Sequence, residues 1–275
     1  MKNTYYCSSE DFVRNSKIPV RVMKTEADMM EEIAELMASV IEENNAKGEK
    51  TVIICPVGPI GQYPIFAQKV NERNISLKNC WFINMDEYLV DNDQTIPYEN
   101  PLSFRATMDR VLYSQVKQEL LMPTAQRLFP EPTKEKEIDE LFETLGKVDL
   151  CLTGVGINGH IAFNEPAKET DEITDEEYKN CGTRCADIAT ETVVNNGANK
   201  LRGALDIFPK RCITLGMKQL LKAKTLKVYL YCNWQWGIMR KMALEKESRF
   251  MPVSFLQSHP NAEMVVTEGL YEFKL

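Results

Sequence analysis

One loop constrains this chain more than any other stretch. The mostly apolar run from Val148 to Leu152 leads through Thr153 into Gly154-Val155-Gly156-Ile157-Asn158-Gly159-His160-Ile161-Ala162-Phe163-Asn164-Glu165-Pro166. Closely spaced glycines after a buried strand suit positive φ or close backbone approach, and in an open α/β sheet ligands bind beyond the carboxyl ends of the strands. The loop is therefore a candidate floor for a site. It carries one of only two histidines, His160, and a carboxylate, Glu165. That pair suits proton movement near neutral pH. Pro166 stops the segment from continuing as helix. A lone Gly-x-Gly would more simply be a turn with a satisfied polar histidine; the length of the whole run argues for chemistry.

The run resembles the signature of the glucosamine-6-phosphate deaminase (isomerase) family, Gly-x-Gly-x-Asp-Gly-His-Ile-Ala-Phe-Asn-Glu-Pro, and departs from it where Asn158 replaces the Asp. A second segment, Cys80-Trp81-Phe82-Ile83-Asn84-Met85, reads as a strand that delivers Asp86-Glu87-Tyr88 to its end. Taken alone, two carboxylates there would more often be solvated or cap a helix. The segment nevertheless resembles the family's Asn-Met-Asp-Glu-Tyr, and the two motifs stand in the family's order. The resemblance spans roughly residues 25 to 270.

Composition agrees with a small-molecule protein. With 275 residues, 44% of them hydrophobic, there is room for one sizeable core, and a single domain over 1–275 is expected, with 1–24 as an arm or edge strand. A formal charge of −7 argues against a nucleic-acid partner. No apolar run is long enough to span a bilayer, and Met1–Asp11 lacks the apolar core of a signal peptide, so a cytoplasmic protein without a membrane partner is expected. Five of the eight cysteines, Cys55, Cys80, Cys151, Cys212 and Cys232, lie in or beside apolar β-like runs and read as reduced thiols. Cys181 and Cys185 lack a second pair at zinc-site spacing.

Along the chain, Thr25-Glu26-Ala27-Asp28 reads as a helix start, and Ile33, Leu36, Met37, Val40 and Ile41 recur at helical spacing toward Gly48. Thr51–Cys55 is a buried strand, followed by a Pro- and Gly-containing turn and a helix to about Asn71. Helices are expected over Arg105–Leu121, Glu135–Leu145 and Gln235–Glu245, and further strands near Phe208–Met217, Thr225–Cys232 and Glu263–Thr267. Alternating strands and helices indicate a three-layer, doubly wound, mostly parallel α/β sheet.

The resemblance implies an aldose–ketose isomerase and deaminase of amino sugars or their phosphates, with Asp86 as the base between C2 and C1, His160 assisting ring opening, and Glu165 and Asn158 orienting it. It demands neither metal nor organic cofactor. It implies substrate contacts from Gly58, Ile60, Gly61, Glu87, Gly156, Gly159 and Trp236. Three departures fall where the family holds phosphate. The turn Pro56-Val57-Gly58-Pro59-Ile60-Gly61 stands for Pro-Thr-Gly-Gly-Thr-Pro, Val193 falls at an arginine position, and Trp236 falls at a lysine position. They imply a specificity shifted away from the 6-phosphate. Ala186 and Asp187 replace polar and basic residues beyond Arg184, which weakens any allosteric site there. Two alternatives stay open: a sugar-binding or regulatory homologue without turnover, and a hydrolase like 6-phosphogluconolactonase, whose loop reads His-Thr-Ala-Ser instead. The family contains hexamers and monomers, so a homo-oligomer also stays open.

Overall fold

The computed structural model describes residues 4–274. Eleven strands form two sheets. The larger holds seven parallel strands: β1 (Val20–Met23), β2 (Thr51–Cys55), β3 (Cys80–Asn84), β6 (Arg127–Leu128), β7 (Leu150–Thr153), β10 (Thr225–Leu230) and β11 (Ala262–Thr267). Their spatial order is β1-β11-β10-β7-β2-β3-β6. The smaller sheet is antiparallel, in the order β5-β4-β9-β8, with β4 Asp86–Val90, β5 Gln94–Thr95, β8 Arg184–Asp187 and β9 Arg211–Thr214.

The helices are α1 (Ser9–Asn15), α2 (Glu26–Ala46), α3 (Gln62–Arg73), α4 (Phe104–Val111), α5 (Glu135–Leu145), α6 (Asp175–Lys179), α7 (Thr190–Lys200), α8 (Met217–Leu221), α9 (Trp236–Leu244) and α10 (Glu268–Tyr271). The period of two decides which layer each strand residue meets. On β2, Val52 and Ile54 join the cluster under α5 and α9, while Ile53 and Cys55 join the cluster under α2 and α3. On β7, Cys151 faces the first cluster and Leu150 and Leu152 the second. Both faces are apolar because both are covered, as a parallel sheet requires.

Several sequence expectations are met closely. Thr25 and Asp28 form a reciprocal capping box at the start of α2, β1 is an edge strand, and α5 has the expected bounds. All eight cysteines are free thiols. No helix among the described residues is long and apolar enough to cross a membrane. The helix expected over Arg105–Leu121 is instead short: α4 ends at Val111, and a 3-10 turn follows over Tyr113–Gln115. Met108, Leu112, Tyr113 and Val116 all reach the α2/α3 cluster, so the apolar spacing was real but not that of one continuous helix. The strand at Arg211–Thr214 does form, but antiparallel and in the smaller sheet, which a count of apolar runs does not distinguish.

Glu87 belongs to this framework and does not line the candidate site. Its fully buried carboxylate accepts backbone N–H bonds from Tyr88 at 3.0 Å, Phe104 at 3.0 Å and Arg105 at 2.9 Å, tying β4 to the first turn of α4. Burial raises its pKa, and these N–H donors offset only part of that rise. The expected substrate contact from Glu87 is thus replaced by a helix-capping role. Glu87→Ala leaves buried amides without acceptors and should cost about 2–4 kcal/mol, read as a lower urea midpoint at unchanged m-value.

Candidate active site

After β3 and β6 the chain crosses to the other side of β2 and lays down β7, then β10 and β11. The sheet therefore changes direction between β2 and β7, and the loops leaving those two strands part above that point. A cavity of about 200 Å³ opens there. It is lined by Val57 and Gly58 after β2, Asp86 after β3, Gly154, Gly156 and His160 after β7, and Tyr231 and Trp234 after β10. Gly154 and Gly58 nearly touch, since a Cβ on Gly154 would lie 2.8 Å from the Gly58 carbonyl oxygen. Gln235 ties the fourth loop in. Its amide nitrogen donates to the Val155 carbonyl at 2.9 Å, and its oxygen accepts from the Tyr231 and Cys232 N–H groups.

Asn158 sets the tautomer of His160. The Glu165 carboxylate only accepts, so the Asn158 Nδ2 at 2.7 Å from Glu165 Oε2 must be the donor end of the amide. Its Oδ1 then faces His160 Nδ1 at 2.8 Å and makes that nitrogen the proton carrier. Nε2 is left to exchange a proton in the cavity. Thr192 Oγ1 stands 3.1 Å from Nδ1, and Glu165 Oε2 stands 3.3 Å from it. Burial opposes ionisation of Glu165, but His160, Asn158 and Thr192 outweigh it and hold the carboxyl below its ordinary range. An Asp at 158 would set a second carboxylate against Glu165. The Asn bridges imidazole and carboxylate without that repulsion.

Asp86 enters the same cavity from the start of β4. Burial first, and the charge of Glu87 second, push its carboxyl up to about 8, while Lys200 pulls the other way. Lys200 was not singled out by the sequence reading. It ends α7, and its ammonium lies over the rings of Phe104 at 5.0 Å and Tyr88 at 5.6 Å. Loss of water lowers its pKa, against the pull of Asp86 and Glu87. Thr192, Asn196 and Lys200 recur at i, i+4 and i+8, so one face of α7 touches His160 and lines the cavity. Val193 lies off that face and packs on the apolar cluster under the smaller sheet. The i, i+4, i+8 spacing of Thr192, Asn196 and Lys200 is the sequence signal for this face, which the single position of Val193 does not carry.

The other expected contacts divide. Gly58 and Gly156 line the cavity, while Ile60, Gly61 and Gly159 do not. Ile60 is 39% exposed, Gly61 packs on Met30, and Gly159, at φ +90°, backs onto Met251. Trp236 is a correction. It stacks on Tyr5, lies under the Arg240 guanidinium at 4.7 Å and donates from Nε1 to the Phe273 carbonyl, inside the core. Its neighbour Trp234 lines the cavity instead. Arg184 is also structural, donating to Asn164 Oδ1 at 2.8 Å, and His259 orders its turn through the Ala223 carbonyl and the Asn261 N–H.

Gly156 holds the imidazole by its lack of a side chain: a Cβ there would lie 1.9 Å from His160 Cε1. Gly156→Ala should therefore swing the ring off Asn158 in a crystal structure. Melting should fall by no more than about 5 °C, because no left-handed backbone is involved.

No family model matches the chain. It is similar to the glucosamine-6-phosphate deaminase of Clostridium perfringens, with 26% identity over 248 residues, covering 86% of this chain and 93% of the relative. Among solved structures, a monomeric glucosamine-6-phosphate deaminase superposes with a TM-score of 0.77 at 22% identity, over 91% of this chain and 98% of that one. A 6-phosphogluconolactonase from Thermotoga maritima shares the fold at a TM-score of 0.64 and 17% identity, over 90% of this chain and 100% of its own. With the loop from Gly154 to Pro166 and the Asp86 strand in place, the chain is similar over most of its length to glucosamine-6-phosphate deaminases in sequence and shares the fold of a solved one.

Proposed function

We propose that the protein is an amino-sugar aldose–ketose isomerase and deaminase. The observation that carries this reading is that Asp86 and the Nδ1-anchored His160 line one small cavity. His160 Nε2 takes the proton of the anomeric hydroxyl and returns it to the ring oxygen as the C1–O bond opens to the aldehyde. The Asp86 carboxylate removes the proton from C2 as a proton of the substrate's ammonium passes to O1, giving an enolamine, and then delivers the proton it took to C1. The resulting C2 imine takes up water and leaves as ketose and ammonia. Positioned groups of this kind contribute about two to four orders of magnitude each. Glu165 stabilises the imidazolium that forms transiently.

Lys200 is the one lysine or arginine among the described residues that line the cavity. It supports the Asp86 carboxylate, and no arginine adds a fork for a phosphate dianion. The reading is thus an enzyme that depends less on a 6-phosphate than its relatives' name implies. Incubation with glucosamine 6-phosphate and with glucosamine should release ammonia and ketose, with kcat/KM values within about a hundredfold of each other. Asp86→Asn and His160→Gln should each lower kcat by about 10²–10⁴-fold. Absence of turnover on either sugar would overturn the assignment.

The pH profile follows from the raised pKa of Asp86. The base works only when ionised, and its carboxyl is held up at about 8, so kcat/KM should climb as pH rises through that value. Lys200 favours the charged form, so Lys200→Met should move the rising limb to higher pH, as a stopped assay from pH 6 to 10 would show.

A further inference from the structure

A second, larger cavity of about 560 Å³ lies beyond the edge strand β6, between α4 and α5, and shares no lining residue with the first. Its floor is apolar, from Leu128, Ile138 and Leu141, and two aromatic rings, Tyr113 and Phe129, wall it. Each ring carries a guanidinium: Arg127 over Tyr113 at 5.0 Å and Arg105 over Phe129 at 5.3 Å. The two arginines differ in charge balance. Arg105 is paired with Glu131 at 3.1 Å, and Glu131 is also held by Lys134 at 2.7 Å. Arg127 is fixed by two bonds from Nε and Nη2 to the Met122 carbonyl, and no carboxylate among the described residues lies within ion-pair distance of it.

A guanidinium so held, stacked and without a counter-charge, is preorganised for an anion. Asp109 and Glu137 also line the cavity, and Asp109 already accepts the Tyr98 hydroxyl at 2.9 Å. Their negative charge disfavours a dianion such as phosphate and favours a single carboxylate joined to a flat apolar body. We propose that this cavity is a second small-molecule site for such a monocarboxylate, its anion on Arg127 and its body between Tyr113 and Phe129.

The test is calorimetry and ligand-detected NMR on the full chain with benzoate and phenylacetate, using benzamide as the neutral control and inorganic phosphate as the dianion control. The carboxylates should bind with Kd on the order of 1 mM or tighter, and both controls at least about tenfold more weakly. Arg127→Gln should remove that preference. Thr124→Trp plugs the mouth from an exposed position that leaves the Arg127 bonds intact, and it should abolish binding. Lys200→Met should leave binding unchanged, which separates this site from the first cavity whether or not that cavity turns over an amino sugar. The proposal is overturned if benzamide or phosphate binds as well as the carboxylates, if binding survives Thr124→Trp, or if it is lost in Lys200→Met.

Discussion

The pairing of β2 with β7 organises the rest of the molecule. These two strands lie side by side in the middle of the larger sheet, Ile53 against Leu150 and Ile54 against Cys151, and all four residues are fully buried. The chain reaches that pairing by travelling outward through β3 and β6 and then doubling back. The loops that follow the two strands consequently leave in different directions, and a hollow forms where they separate. Its position is a consequence of strand order, and its chemistry depends on which residues the loops happen to carry.

Two kinds of buried charge meet in that hollow, and they are managed differently. Glu165 is held ionised by donors on three sides, so the imidazole beside it has a fixed orientation and a fixed proton on Nδ1. Asp86 has no such set of donors; it has a carboxylate neighbour and one lysine, and its proton affinity is high. Groups whose surroundings drive their ionisation apart are the arrangement that acid–base chemistry at neutral pH requires.

Much of this was readable in the sequence where the signal was local. Strands β2, β3, β7, β10 and β11 of the parallel sheet announced themselves as short apolar runs, whereas the two-residue β6 did not, and the loop from Gly154 to Pro166 carried its family resemblance at every patterned position but Asn158. The smaller sheet was not legible as a sheet, because the antiparallel pairing of β4, β8 and β9 is a long-range matter. Trp236 and Trp234 illustrate the same limit at the site. They stand two residues apart at the start of a helix, and only the position of Tyr5 and Phe273, from the two ends of the chain, decides which one turns into the core. Lys200 was hidden for another reason: its reach into the cavity depends on the facing of α7, not on matching one position to another.

Glu87 couples the framework to the site. The same side chain that anchors the first turn of α4 also adds negative charge beside Asp86. Docking of that helix and readiness of the neighbouring acid to release its proton are in this way a single quantity. Substitutions at Asn100 or Ser103, which do not line the cavity, would retune the proton affinity of Asp86 from a distance.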